Sequence, residues 1–201
     1  VNARGIIQNN DLDRYNFSVR NTTSMLNDKL TMDLSFMYSN VKEQNMLSQG
    51  EYANPLVPVY LFPRGDDFSK YQYYERYDVD RNIKTQFWPL KENGLSMQNP
   101  YWITNRNMYT NKKDRFLASG SLKYTITDWL NVSGRVKLDK ETINSEKKMY
   151  ASTLNVIAEN SDKGAYVQSN KNTSQIYADA MLNINKYFYH DTWNLRSEEH
   201  T

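Results

Sequence analysis

The 201 residues include no cysteine and only two histidines, His190 and His200. A disulfide framework and a thiolate metal site are therefore excluded, and a histidine-rich site lacks its imidazoles. Long apolar runs are missing as well. The longest, Leu56 to Pro63, falls far short of the roughly 18 to 20 residues that a membrane-spanning helix needs, and prolines at 58 and 63 interrupt it. Charge of one sign is not in excess: 25 basic residues stand against 23 acidic ones, well mixed, so no basic stripe is available and nucleic acid is not an expected partner. No nucleophile sits beside a histidine, since His190 falls in an expected tight turn, and no two carboxylates are set together for acid and base work. Neither catalysis nor a metal or cofactor is expected. The chain opens without the charged and apolar regions of a signal peptide, as a segment from within a larger gene would.

Hydrophobic residues make up only 39%, and 16 of them are tyrosines, so a conventional core is thinly supplied against the ~45–50% of ordinary domains. Yet aromatics reach 13% with a net charge of +2, unlike disordered chains, which are poor in aromatics and strongly charged. The apolar surface has to be covered in some other way.

Apolar residues recur at every second position in four windows, the period of a two-faced strand. Leu30, Met32, Leu34, Phe36 and Tyr38 alternate with Thr31, Asp33 and Ser35. Phe116, Ala118, Leu122, Tyr124 and Ile126 share a face with Gly120, opposite Ser119, Ser121 and Lys123. Leu130, Val132, Gly134, Val136 and Leu138 alternate with Asn131, Ser133, Arg135, Lys137 and Asp139; at helical spacing Ser133 and Lys137 would face a core. Ile176, Ala178, Ala180, Leu182 and Ile184 alternate with Tyr177, Asp179 and Asn183, and a weaker strand holds Tyr15, Phe17 and Val19. The expected strands are 13–26, 30–42, 114–127, 129–142 and 173–186, with a truncated sixth at Trp193 to Leu195.

Their connections alternate in length. Short ones are expected near Asn27 to Lys29, at Thr127 and Asp128, and around Tyr189 to Asp191; long ones at about 44–113 and 143–172 far exceed the ~2 to 5 residues of hairpins. In an antiparallel order, all tight turns then fall at one end of the sheet and all long loops at the other, the asymmetry of transmembrane barrels. Strands of ten residues and more suit a tilted bilayer crossing of ~9 to 11. Trp129, Tyr187, Phe188, Tyr189 and Trp193 near the tight turns, with Tyr15 and Tyr38 at the other end, suit two interfacial belts. The expected fold class is all-β: an open antiparallel up-and-down sheet of about five to six strands, a partial segment of a large transmembrane β-barrel with long extracellular loops. Leu34, Phe36, Leu122, Val132, Val136, Ala180 and Leu182 would face lipid. A soluble antiparallel barrel or sandwich with its apolar face inward fits the same alternation.

The blocks NPLVPVYLFPRG, RYDVDRN, QFWP, QNPYWITNRN and KDRFLASGSLKYTITDWLNVSGRVKLD follow one another, and SNKNTSQIYADAMLNINKYF comes later. In this order they resemble the barrel region of SusC-like (SusC/RagA-type) TonB-dependent outer-membrane transporters of Bacteroidetes-type bacteria, over about residues 13–195. The resemblance implies a piece of a barrel of about 22 strands with an internal plug, importing glycans or peptides. Its implied partners are a SusD-like surface lipoprotein, TonB through a missing N-terminal region, the oligosaccharide or peptide substrate and outer-membrane lipid.

In the loop, Trp88, Tyr101 and Trp102 offer rings for sugars, and Arg64, Asn99, Asn105 and Arg106 offer hydrogen bonds, to substrate or to the lipoprotein; packing within the loop is the plainer role for each. Asp66 with Asp67, and Asp78 with Asp80, lack the glycine spacing of a calcium loop and read as turns. The last six residues, Arg196 to Thr201, resemble a translated sequencing adapter and are expected to be a non-native tail. Two other functions remain open: a soluble β-rich carbohydrate-binding module, and a passive porin-type barrel.

Overall fold

A computed structural model of the protein describes residues 1–46, 50–88, 90, 97–188 and 193–197, the last five and residues 187 and 188 by their backbone alone. The expectations for Tyr189, His190 and residues 198–201 lie outside the described residues, as do those for the side chains of Tyr187, Phe188 and Trp193.

The chain is all-β, dominated by one open antiparallel sheet. Its strands are β1 (Asn2–Arg4), β2 (Asp11–Met25), β3 (Leu30–Gln44), β6 (Asn107–Thr127), β7 (Leu130–Met149), β8 (Ala165–Phe188) and β9 (Trp193–Ser197), in the spatial order β1-β2-β3-β6-β7-β8-β9. Each strand therefore neighbours the one before it, save that β3 and β6 are joined through a folded insertion. That insertion contains helix α1 (Leu56–Tyr60), a 3-10 turn (Phe68–Gln72), the hairpin β4 (Glu75–Asp78) and β5 (Ile83–Gln86), and helix α2 (Pro100–Arg106). No helix among the described residues is long and apolar enough to cross a membrane.

Tight turns close two hairpins. Leu26, Asn27 and Asp28 all take positive φ, a conformation that asparagine and aspartate tolerate better than most residues, and Lys29 N donates back to Leu26 O at 3.3 Å. Asp128 and Trp129 form the second turn.

Several strands outrun their alternating pattern. β6 begins at Asn107, β7 ends at Met149 and β8 begins at Ala165, so the connections shrink from the expected 44–113 and 143–172 to 45–106 and 150–164. The added stretches, such as Ile143–Met149, hold only isolated apolar residues, so they carry no sustained alternation even though the backbone ladder continues. β1 was not expected; it pairs with β2 from Asn2 opposite Asp13 to Arg4 opposite Asp11.

The chain divides into two compact units. Unit 1 comprises Val1–Arg14, Val41–Lys112 and Ile143–Asn170; unit 2 comprises Tyr15–Asn40, Lys113–Thr142 and Lys171–Thr201. The buried hydrophobic residues among those described are Val41, Tyr71, Trp88, Met97, Trp102, Ile103 and Ala158, and all belong to unit 1. Unit 1 has a core of its own. Unit 2 is sheet, with large apolar side chains left exposed.

Candidate functional site

In unit 2 the two faces of the sheet differ chemically. Leu34, Leu122, Val132, Val136 and Leu182 lie exposed on one face, Leu122 at 51% and Val136 at 54%. Ala180 is exposed beside them, and Phe36 is half-buried. Phe36 packs between Phe17 and Phe116 at ring separations of 6.2 and 4.8 Å. Leu34 lies over Gly120, where an added Cβ would come within 3.2 Å of its Cδ2. Covering one such valine or leucine side chain is worth about 1.5–3 kcal/mol, so this uncovered row forgoes a large part of the burial available to it.

The apolar row is bounded. On the same side, just past Tyr38, the Tyr38 hydroxyl and Asn40 Nδ2 both donate to Asp114 Oδ1 at 2.7 Å. Thr142 Oγ1 donates to Asn172 Oδ1 at 2.8 Å past Leu138. Between its limits the row on β7 runs from Leu130 to Leu138, nine residues, close to the ~9–11 of a tilted transmembrane strand. At the turn end, Lys186 Nζ sits 4.5 Å from the Trp129 ring centre.

The opposite face pairs its polar groups across strands. Arg20 Nε and Thr22 Oγ1 donate to Asp33 at 3.0 and 2.7 Å. Ser35 and Ser119 are 2.8 Å apart, and Asn183 Nδ2 donates to Asn131 Oδ1 at 3.1 Å. Arg115 pairs with Asp139, Lys113 with Glu141 and Arg135 with Asp179. Cations and carboxylates thus neutralise one another in rows on this face.

Unit 1 holds the loop residues proposed as contacts, and it turns several of them inward. Asn99 and Trp102 are fully buried and Trp88 nearly so. Asn99 works on its own loop: its Oδ1 accepts from Tyr101 N at 2.9 Å, capping α2 ahead of Pro100, while Nδ2 donates to Tyr71 O and Phe87 O at 2.8 and 3.1 Å. Trp102 Nε1 donates to Thr153 Oγ1 at 3.0 Å. Trp88 packs against Tyr71 and Phe62. Buried rings have no free face for a sugar, which removes Trp88 and Trp102 as stacking platforms and Asn99 as a hydroxyl ligand.

Of the remaining contacts, Tyr101 is half-buried against Phe68, 5.7 Å between ring centres. Asn105 donates to Tyr101 O at 2.8 Å and accepts from Asn9 Nδ2 at 3.0 Å. Arg106 bonds Glu75 Oε2 from Nη2 at 2.6 Å and lies over the Tyr150 ring at 4.8 Å. Arg64 is exposed.

Glu75 also takes a bond from Lys84 Nζ at 2.7 Å. Burial works against its charge, but the hydrogen bonds from Lys84 and Arg106 and their positive charges prevail and hold the carboxyl below the ordinary glutamate range. Asp66 is likewise held low, first by the Tyr71 hydroxyl and then by the Asp67 backbone. Asp67 caps the 3-10 turn through Ser69 N, and Asp78 accepts from Arg81 N within its own hairpin. No group of three or more metal-ligating side chains occurs among the described residues.

Sequence reasoning missed the glutamines and threonine that tie the loops of unit 1 together. Gln86 donates to Ser152 O at 3.2 Å and accepts from Asn99 N at 2.7 Å. Gln98 donates to Tyr52 O at 2.9 Å and accepts from Leu154 N at 3.1 Å. A lone glutamine in a polar loop carries no pattern that marks it as buried. No family model matches the chain, and no curated protein is significantly similar to it.

Proposed function

We propose that this chain is part of an outer-membrane transport barrel of the SusC-like, TonB-dependent type. It would import glycans or peptides together with a SusD-like lipoprotein, with TonB engaging a region outside this segment, and it performs no catalysis. The observation that carries the reading is the inversion in unit 2: its apolar row is exposed and bounded at a length suited to a bilayer crossing, while its opposite face is filled with cross-strand ion pairs. Lipid covers such a row, and a water-filled lumen accommodates such pairs. The sequence blocks quoted above favour the SusC-like type over a passive porin. A soluble carbohydrate-binding module leaves the apolar row uncovered and has lost its two tryptophan platforms to burial.

The absence of native cysteine makes a direct test available. Single cysteines placed in turn at positions 132 to 137 are labelled with an environment-sensitive fluorophore, and the chain is folded into vesicles containing nitroxide-bearing lipid. Quenching at 132, 134 and 136 but not at 133, 135 and 137 is the expected result. Equal quenching on both faces, or protection of Val132 and Val136, refutes a lipid-facing row.

A further inference from the structure

Two lysines on neighbouring strands are left facing each other. Asn45 N donates to Tyr109 O and Thr125 N to Lys29 O, both at 2.7 Å, a single register between β3 and β6 that sets Lys42 directly opposite Lys112. Residues so paired share a face with Cβ atoms about 4.5–5.5 Å apart, and like charges there repel. Lys42 is an even number of residues from Leu34 and Lys112 from Leu122, so both stand on the face that carries the apolar row. Both are exposed, and neither ammonium forms a hydrogen bond or ion pair among the described residues.

The nearby carboxylates do not neutralise the pair. Glu146 on β7 is taken by the Tyr166 hydroxyl at 2.7 Å and by Lys148 Nζ at 3.1 Å. Asp13 stands beside Lys42 on β2, in the register marked by the bond from Ser39 Oγ to Asn16 Oδ1, and offsets one of the two charges at most. On the opposite face the next cations along β6 fare differently: Lys113 and Arg115 each have a carboxylate on β7.

The place of the pair along its strands says which anion can reach it. Lys42 comes two residues after Asn40 on β3, and Lys112 two residues before Asp114 on β6; Asn40 and Asp114 are the bonded residues that bound the apolar row. A strand advances about 3.3 Å per residue, so the pair lies at most about 7 Å past that boundary. The polar layer on each side of a bilayer's hydrocarbon is roughly 5–8 Å deep.

We infer that Lys42 and Lys112 together hold the headgroup phosphate of an anionic membrane lipid whose chains lie along the apolar row. This rests on the lipid-facing reading proposed above and adds to it the headgroup chemistry and the residues that select it. One phosphate between the two ammonium groups replaces their repulsion with two attractions, and each lysine held at an anionic headgroup layer is worth about fivefold in binding.

The test places a fluorophore at Tyr15→Cys, an exposed position on β2, in the whole chain folded into vesicles of phosphatidylcholine and phosphatidylglycerol at one fixed ratio. Brominated acyl chains, which quench the label, are carried by phosphatidylglycerol in one sample and by phosphatidylcholine in the other. The two samples give the lipid ratio at the label, expected to exceed the bulk ratio by about fivefold or more in favour of phosphatidylglycerol. Lys42→Gln with Lys112→Gln returns it to the bulk ratio, whereas Lys123→Gln with Lys137→Gln, which removes the same charge from the other face, leaves the preference in place. Inorganic phosphate, at an ionic strength matched with chloride, also leaves it in place. A bulk ratio in the parent, a preference that survives loss of Lys42 and Lys112, one lost equally with Lys123 and Lys137, or one cancelled by inorganic phosphate overturns the assignment. Alternating quenching at 132 to 137 with no preference at Tyr15→Cys refutes only the lysine pair; loss of that alternation refutes the lipid face itself, and the pair's lipid with it.

Discussion

Arg135 reaches across from β7 to β8 and donates from Nε at 2.9 Å and from Nη2 at 2.7 Å to a single oxygen of Asp179, Oδ2. The Asp179 side chain is only 1% exposed, and its second oxygen has no partner among the described residues. The flanking residues Val136 and Ala180 are exposed on the other face of the same two strands. One pair of neighbouring strands thus hides its carboxylate and displays its hydrocarbon, the reverse of a water-soluble sheet.

A covered carboxylate is tolerated only with its cation. Arg135→Leu is expected to lower the thermal midpoint of the folded chain in micelles, and the double variant Arg135→Leu with Asp179→Leu to regain much of that loss. A double variant no better than the sum of the single ones would mean that the two side chains do not stabilise each other.

Reversing the character of the displayed face has a sharper consequence under the membrane reading. Val136→Arg puts a guanidinium in the middle of the apolar row, which is worth about 2–4 kcal/mol against insertion at the bilayer midplane. Ser133→Arg, on the ion-paired face, is expected to insert nearly as well as the parent. Insertion into lipid vesicles, followed by the heat-dependent gel mobility of the barrel strands and by protease protection, reads the difference. Equal tolerance at both positions counts against lipid on the Val136 side.

Acid is expected to loosen the insertion in unit 1. Glu75, bonded by Lys84 and Arg106, has its folded carboxyl held below the ordinary range. A depressed carboxyl contributes stability above its unfolded value and loses it as the pH falls through the folded one, which places the loss below about pH 4. Asp66 and Asp67 are depressed too and add to the same window. Hydrogen exchange across residues 75–86 should therefore quicken below that pH. Glu75→Gln should raise exchange at neutral pH and flatten the acid step without abolishing it. An acid step of unchanged size in Glu75→Gln would show that the Lys84 and Arg106 contacts do not anchor the hairpin.

How much of this was legible in the sequence depended on whether one face was apolar. From Leu130 to Leu138 the alternation is clean, and the strand is found where the pattern puts it. Beyond the expected end at 142, Ile143 and Met149 stand isolated among polar residues, so the same strand continues to Met149 without a periodicity to mark it. In the insertion, the Asn99-Pro100 pair signals a helix start through local chemistry alone. The carbonyls that Asn99 serves, Tyr71 O and Phe87 O, are set by tertiary contact. Trp88 and Trp102 illustrate the same limit: a tryptophan in a polar loop reads equally as a binding platform and as a core residue, and only the burial of its ring decides.

Asn99 also offers the most discriminating mutation in unit 1. Its side chain performs two separable tasks, accepting from Tyr101 N to cap α2 and donating to the two loop carbonyls. Asn99→Ser keeps an oxygen for the cap and loses the donors; Asn99→Ala loses both. Removing the cap alone costs about 0.5–2 kcal/mol, and each buried carbonyl left unserved about 1–3 kcal/mol. The stability order should therefore be parent, then serine, then alanine, with serine set apart from the parent by more than from alanine. Denaturant unfolding followed by tryptophan fluorescence gives that order, because Trp88 and Trp102 are buried in the same unit. A serine variant as stable as the parent would mean that the cap alone carries Asn99's contribution and that the Tyr71 and Phe87 carbonyls are satisfied without it.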